Sequence, residues 1–268
     1  MNKDKVMEHY DLVSPYYHSL WGLHIHHGYW ITGKESKEEA QENLTKLLIE
    51  KAAIRQGSRV LDVGCGIGGS SIYLAKNLDA LVTGITISPI QADMARAFAK
   101  QDGVSVDIRV MDAENMDLPG LFDVIWSIEA LSHLNDQERF FANAAKLLEK
   151  GGKFAIIDWF KKDGLTEDQE EKFIDPIKNG MLTPNMTTME SYRSFIEKAG
   201  LKITGTHDIS KNVSKTWDIC LDIIKKKALW RLAMTHGSEF VEFLKAFKAM
   251  RDGFASETFV YGLIIAEK

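Results

Sequence analysis

Apolar residues along this chain follow two rhythms. From Ser36 to Ile54 they recur at helical spacing, at Ala40, Leu44, Leu47, Leu48 and Ala52, with charge between them. Arg59–Val63 reads as a buried strand that breaks into glycines. The pattern then predicts a helix over Ser70–Lys76, a strand over Ala80–Ile87, a helix over Pro89–Gln101 with its proline in the first turn, and a strand over Val104–Val110. Phe122–Ile128 reads as a fourth strand, apolar except for Asp123 and Ser127. Asp136–Leu148 reads as a helix closed by Lys150-Gly151-Gly152, and Lys153–Phe160 as a fifth strand. Strands spaced by helices in this way imply βαβ units and a parallel sheet covered on both faces. The remainder is less regular. It predicts a helix over Thr188–Ala199, a strand over Leu201–Asp208, a mostly helical stretch over Asn212–Arg251 and a clear last strand over Thr258–Ala266. Residues 1–34 are crowded with tyrosine, tryptophan and histidine, too many rings for a loose tail, and are expected to pack on something.

The chain has 268 residues, 45% hydrophobic and 26% charged, which is enough for one core with a cap or small subdomain. A net charge of −5 argues against nucleic acid or an anionic membrane surface as a standing partner. The one basic cluster, Lys225-Lys226-Lys227, reads as a solvated helix face. The cysteines, Cys65 and Cys220, form neither a disulfide framework nor a metal-ligand spacing. His24, His26 and His27 lack a carboxylate neighbour in sequence, so no metal is expected. Without a signal-peptide pattern or an apolar run of membrane-spanning length, a cytoplasmic, reduced setting and no membrane insertion are expected. Monomer and homodimer both stay open.

The chemistry concentrates in V-L-D-V-G-C-G-I-G-G-S-S, residues 60–71. Gly64, Gly66 and Gly69 satisfy G-x-G-x-x-G. Such glycines let a strand turn sharply into a helix and let a ligand touch the backbone. The helix start then offers N–H groups to an anion, a pyrophosphate or a carboxylate. Asp62, two residues before Gly64, can pair with an ammonium group, which a pyrophosphate lacks. Asp112 follows the third strand in M-D-A-E-N-M, and the chain ends in a strand rather than a second nucleotide-binding half. A ligand with an amino-acid end and an adenosine, S-adenosylmethionine, fits these groups better than a dinucleotide. An NAD-binding oxidoreductase remains an alternative on the literal glycine match, and a non-catalytic cofactor-binding protein is a third.

Residues 58–159 resemble the core of class I S-adenosylmethionine-dependent methyltransferases. The likeness is carried by the glycine loop, G-I-T-I-S-P-I-Q (84–91), M-D-A-E (111–114) and S-I-E-A-L-S-H-L (127–134). It implies an α/β fold with a doubly wound seven-stranded sheet in the order 3-2-1-4-5-7-6, its last strand antiparallel. Most members end strand two with an acid that grips the ribose; here Thr86 stands there. That variant resembles the tocopherol methyltransferase-like and cyclopropane fatty acid synthase groups, in which the later glutamine, here Gln91, helps hold the ribose. Y10-D-x-x-S-x-x-Y17 with L23-H-I-H-H-G-Y-W30 resembles the opening of the tocopherol-like group, where it folds over the cofactor. D208-I-S-K-N-V-S-K-T-W217 is similar to the stretch before that group's helical cap.

The implied layout is a lid over 1–35, a cofactor-binding core over 36–160, a substrate cap over 161–256 and a final core strand over 257–268. The expected cofactor residues are Asp62, Gly64, Cys65, Gly66, Gly69, Thr86, Ile87, Gln91, Asp112, Ala113 and Ser127, with Tyr16, His27 and Tyr29 from the lid. Cys65 reads as a small filler rather than a nucleophile. Asp112 would accept from the adenine amino group with the Ala113 N–H nearby, and Ile87, Met111 and Trp126 would wall the ring unless they simply pack the core. His133 and Glu129 lie in the loop after strand four, where a base would be useful; a purely structural role for each stays open. Methyl transfer to carbon, nitrogen or oxygen of a small molecule is the implied reaction. An aromatic ring, an amine and a lipid compete as acceptors, with a bulky apolar one favoured by the apolar content of 161–256.

Overall fold

A computed structural model describes residues 3–225 and 238–268. Its strands are β1 (Arg59–Val63), β2 (Leu81–Thr86), β3 (Asp107–Val110), β4 (Phe122–Ile128), β5 (Leu148–Lys161), β6 (Lys202–Asp208) and β7 (Phe259–Glu267). They form one sheet in the order β3-β2-β1-β4-β5-β7-β6. β1 to β5 pair in parallel, and β7 runs antiparallel to both β5 and β6. The order and the reversed last strand match the expectation from sequence. The helices nearest the strand ends are α1 (Lys3–Trp21), α2 (Lys37–Ala52), α3 (Gly69–Leu78), α4 (Pro89–Gln101) and α5 (Gln137–Ala144).

Both faces of the sheet are dry at its centre, in β1, β4 and β5. In β1, Val60 joins an apolar layer with Leu44 and Leu48 of α2 and Leu74 of α3. Leu61 and Val63 point the other way, into a layer with Phe140 and Phe141 of α5 and Tyr192. A strand covered on both sides needs a continuous apolar run, which is why β1, β4 and β5 were legible as such. Capping fixes where the helices start. Ser36 and Glu39 form a reciprocal capping box at α2, Ser88 caps α4 ahead of Pro89, and the Asp136 side chain accepts the Arg139 N–H at α5.

One expectation needs correction. The helix expected over Asp136–Leu148 stops at Ala144, and Leu148 already pairs with Phe122 as the start of β5. Lys150-Gly151-Gly152 is therefore not a helix cap. It is an irregularity inside β5, with Gly151 at φ 78° and its N–H donating to the Lys268 carbonyl. The N-terminal segment, for which the sequence pattern gives packing but no element, does pack, and it does so as a helix. Lys3–Trp21 is a 19-residue helix with Pro15 inside it. Its buried positions Val6, Val13, Ser14 and Trp21 make a narrow stripe, spaced by aromatics and interrupted by proline, which hides the helical period.

Beyond β5 the chain forms the helices Asp175–Gly180, Met189–Lys198, Lys215–Ile224 and Ser238–Ala255. Asn212–Arg251 is thus helical where it is described. Lys226, Lys227 and Trp230 lie outside the described residues, and Lys225 pairs with Asp222 at the surface. No helix among the described residues is long and apolar enough to cross a membrane.

Candidate active site

β1, β2, β3 and β4 end along one edge of the sheet. The residues that follow them, Gly64, Ile87, Met111 and Glu129, all line one cavity of about 240 Å³. Ligands in open α/β sheets bind at this carboxyl edge. The glycine loop forms the cavity's floor. Gly64 and Cys65 both donate their N–H to the Ile85 carbonyl at 2.9 Å, which folds the loop back over β2. Gly64 sits at φ 75°, and a Cβ there would fall 2.2 Å from Ala130 Cβ. Gly66, at φ 54°, opens onto the cavity, with nothing nearer than 3.9 Å to a Cβ placed on it. Gly69 is hemmed in by the chain itself: a Cβ there would lie 2.6 Å from the Leu23 carbonyl oxygen. Cys65 is buried and burial pushes its thiol up, so it acts as the filler expected.

Asp62 lies under the loop, 2% exposed, and among the described residues its one hydrogen-bond partner is the Ser71 hydroxyl at 2.6 Å. Burial without a counter-charge raises its pKa to about 7. At the end of β2, the Thr86 hydroxyl donates to Gln91 Oε1 at 2.7 Å, and Gln91 Nε2 donates to Ser14 of α1 at 3.1 Å. Thr86, Ile87 and Gln91 all face the cavity. After β3, Asp112 caps the turn Ala113–Asn115 through the Glu114 N–H, and Lys3 of α1 reaches it at 2.6 Å. Burial would raise the Asp112 pKa, but the bonds from Lys3, Glu114 and Asn115 outweigh it and hold the carboxyl below its ordinary value.

After β4, Glu129 adopts φ 54°, held by its N–H on the Ile157 carbonyl. A left-handed non-glycine residue at a strand end marks a position where the surroundings dictate the backbone. Its Oε1 accepts the His27 N–H at 2.7 Å, His27 Nδ1–H at 2.9 Å and the Tyr261 hydroxyl. Trp217 Nε1–H donates to His27 Nε2 at 2.7 Å, which fixes His27 as the neutral Nδ1–H tautomer. Burial raises the Glu129 pKa, but the hydrogen bonds its Oε1 accepts from His27 and Tyr261 work the other way and hold the carboxyl below its ordinary value. His133 is fixed in the same way. Its Nδ1–H donates to the Leu182 carbonyl and its Nε2 accepts from the Tyr10 hydroxyl, both at 2.9 Å. Burial lowers its pKa and keeps it neutral.

A model of the mycolic acid cyclopropane synthetase family matches residues 1–258. The chain belongs to this family. Its sheet order is that of the class I S-adenosylmethionine-dependent methyltransferases. It is 31% identical over 85% of its length to a probable chloroplastic tocopherol O-methyltransferase of Oryza sativa subsp. japonica, covering 67% of that protein. It is 32% identical over 78% of its length to the 27-O-demethylrifamycin SV methyltransferase of Amycolatopsis mediterranei, covering 77% of that protein. The crystal structure of the [4+2]-cyclase SpnF superimposes with a TM-score of 0.86 at 25% identity, over 98% of this chain and 94% of that one.

Within this cyclopropane synthetase-family fold, the structure brings most of the expected residues together. Tyr16 and His27 reach the cavity wall from the N-terminal segment, joining Asp62, Gly64, Cys65, Gly66, Gly69, Thr86, Ile87, Gln91, Asp112, Ala113, Glu129 and His133. Ser127 and Tyr29 do not. The Ser127 hydroxyl turns away to donate to the Val63 carbonyl at 2.9 Å, and the Tyr29 side chain packs against the apolar layer. The His24 and His26 rings meet edge to face, but His27 turns both of its nitrogens to other partners, Glu129 and Trp217. Sequence reasoning missed Tyr10, Trp159, Trp217 and Tyr261 as site residues. Tyr261 sits in the last strand with no local signal, 132 positions from Glu129.

Proposed function

We propose that this chain transfers the methyl group of S-adenosylmethionine to a bulky, largely apolar small molecule. The observation that carries the reading is one cavity with two unlike ends. One end is the glycine loop with Asp62, a buried carboxyl lacking a cation, and the open backbone at Gly66. The other is an apolar chamber between α1 and the helices Lys215–Ile224 and Ser238–Ala255, walled by Val13, Leu20, Trp217, Ile223, Phe243 and Phe247. Relatives named for methylation of tocopherol and of a demethylrifamycin agree with an acceptor of that bulk.

The residues present fit the donor. Asp62 would take its ammonium group and the backbone at Gly64 and Gly66 its carboxylate end. Gln91, held by Thr86, would take the ribose. Asp112 and Ala113 would meet the adenine, between Ile87, Met111 and Trp126. Bound there, the sulfonium supplies an already activated methyl group. The protein's own work is to align the acceptor and exclude water. Residues 1–35 act as the lid and 161–256 as the acceptor cap, and Glu129 and His133 manage the acceptor's proton at the seam. A cytoplasmic setting goes with the two unpaired cysteines, Cys65 and Cys220.

Calorimetric titration tests this directly. S-adenosylhomocysteine should bind one to one while NAD gives no binding heat. Binding of NAD, or none of S-adenosylhomocysteine, would remove the reading.

A further inference from the structure

Glu129 stands where the two ends of the cavity meet, with one oxygen saturated and one free. Oε1 takes all three of the hydrogen bonds from His27 and Tyr261. Among the described residues Oε2 has no partner, and Glu129 is part of the cavity wall. The surroundings supply no counter-charge. Among the described residues no arginine lines the cavity, and its one lysine, Lys3, is tied to Asp112 and Glu114. His27 and His133 are neutral by their hydrogen bonds. A carboxylate oxygen on the cavity wall that no protein group serves is open to a ligand that brings a donor.

We propose that the acceptor is an uncharged apolar molecule bearing a hydroxyl, that this hydroxyl donates to Glu129 Oε2, and that its oxygen is the atom methylated. The proposal rests on the methyl-donor reading above. As the oxygen bonds to the methyl carbon, the carbon–sulphur bond breaks with its electron pair passing to sulphur. The hydroxyl proton passes to Glu129. An oxygen under alkylation becomes a strong acid, so even a carboxylate held below its ordinary pKa takes the proton downhill. An amine behaves differently. An alkylammonium has a pKa of about 10, so Glu129 would pair with it and leave the nitrogen protonated, without a free lone pair. An acceptor with an anionic head, a carboxylate or a diphosphate, would meet Glu129 and no free cation.

Three probes with the same prenyl tail test this: farnesol, farnesylamine and farnesoic acid, each titrated at pH 8 into protein saturated with S-adenosylhomocysteine. Farnesol should bind at least tenfold more tightly than farnesoic acid, and Glu129→Gln should erase that preference. Because the product form of the donor has no sulfonium charge, the effect cannot be one of Glu129 on the donor alone. With methyl-deuterated S-adenosylmethionine, farnesylamine should yield no N-methyl product. Absent farnesol binding, equal or tighter binding of the acid, an unchanged preference in Glu129→Gln, or a labelled N-methylamine each overturns the proposal. Saturation with S-adenosylhomocysteine is checked first, so failure of the donor reading shows itself separately. Should Glu129→Gln fail to bind S-adenosylhomocysteine, the comparison of alcohol and acid in the unaltered protein decides alone.

Discussion

Asp62 is a carboxyl that burial has pushed to about 7, waiting on a positive charge. Pairing with an ammonium needs it ionised, so below pH 7 each binding event must first strip a proton from it. Affinity for S-adenosylhomocysteine should therefore be flat above pH 7 and fall about tenfold per pH unit below it. Asp158 is raised to about 7 as well, but it is bonded to the Ser132 and Trp159 N–H groups and the Tyr192 hydroxyl and does not line the cavity. Asp62→Asn should thus both weaken binding and remove the pH dependence; retention of the slope in that variant would move the titration elsewhere. The glycines give a second test. Gly64→Ala adds left-handed strain of about 1–2 kcal/mol to a Cβ 2.2 Å from Ala130, whereas Gly120→Ala at φ 81° meets open space. Urea unfolding should show Gly64→Ala losing more than about 2 kcal/mol and Gly120→Ala losing only the strain. Equal losses would mean Ala130 yields freely. At this scale the cofactor end was legible because strand, glycines and acid are contiguous. The acceptor end was not. Glu129, His27 and Trp217 meet across separations of 102 and 190 residues, and nothing local announces such a meeting.

The element that links the two ends is α1. Its Asp11 bonds Ser88, its Ser14 bonds Gln91, its Lys3 bridges Asp112 and Glu114, and its Tyr10 bonds His133. α1 therefore docks on the same polar groups that are expected to serve the donor. Asp11→Ala should cost its docking about 1 kcal/mol, speeding amide exchange in 3–21 several-fold while β1 and β4 stay protected. Uniform protection in both regions would show that the apolar stripe alone seats the helix. α5 gives the contrasting case of a core element. Phe141 is fully buried against Phe140, Phe154 and Tyr192, so Phe141→Ala should lower stability by about 3–5 kcal/mol. A loss under about 1 kcal/mol in urea unfolding would contradict that packing. The central strands β1, β4 and β5 were readable because they are buried on both faces. α1 was not, since its residues satisfy the surface of another element rather than a period of their own.

At the scale of the molecule, a seven-stranded sheet carries the loops expected to hold the donor on one edge, and α1 with the helices Lys215–Ile224 and Ser238–Ala255 lines the cavity at that edge. Both halves of the cavity draw on distant parts of the chain, so the apolar chamber proposed for the acceptor forms only when α1 and the helices Lys215–Ile224 and Ser238–Ala255 are seated together. The resemblance in the core predicted the sheet order and the reaction class. The chamber's shape depends on how helices separated by two hundred residues meet, which no local pattern records. The most direct measurement is a crystal structure grown with S-adenosylhomocysteine. Its amino group should lie within hydrogen-bonding distance of Asp62 and its sulphur should open onto the chamber beside Glu129. Density for the ligand away from the glycine loop, or a sulphur walled off from that chamber, would contradict the account.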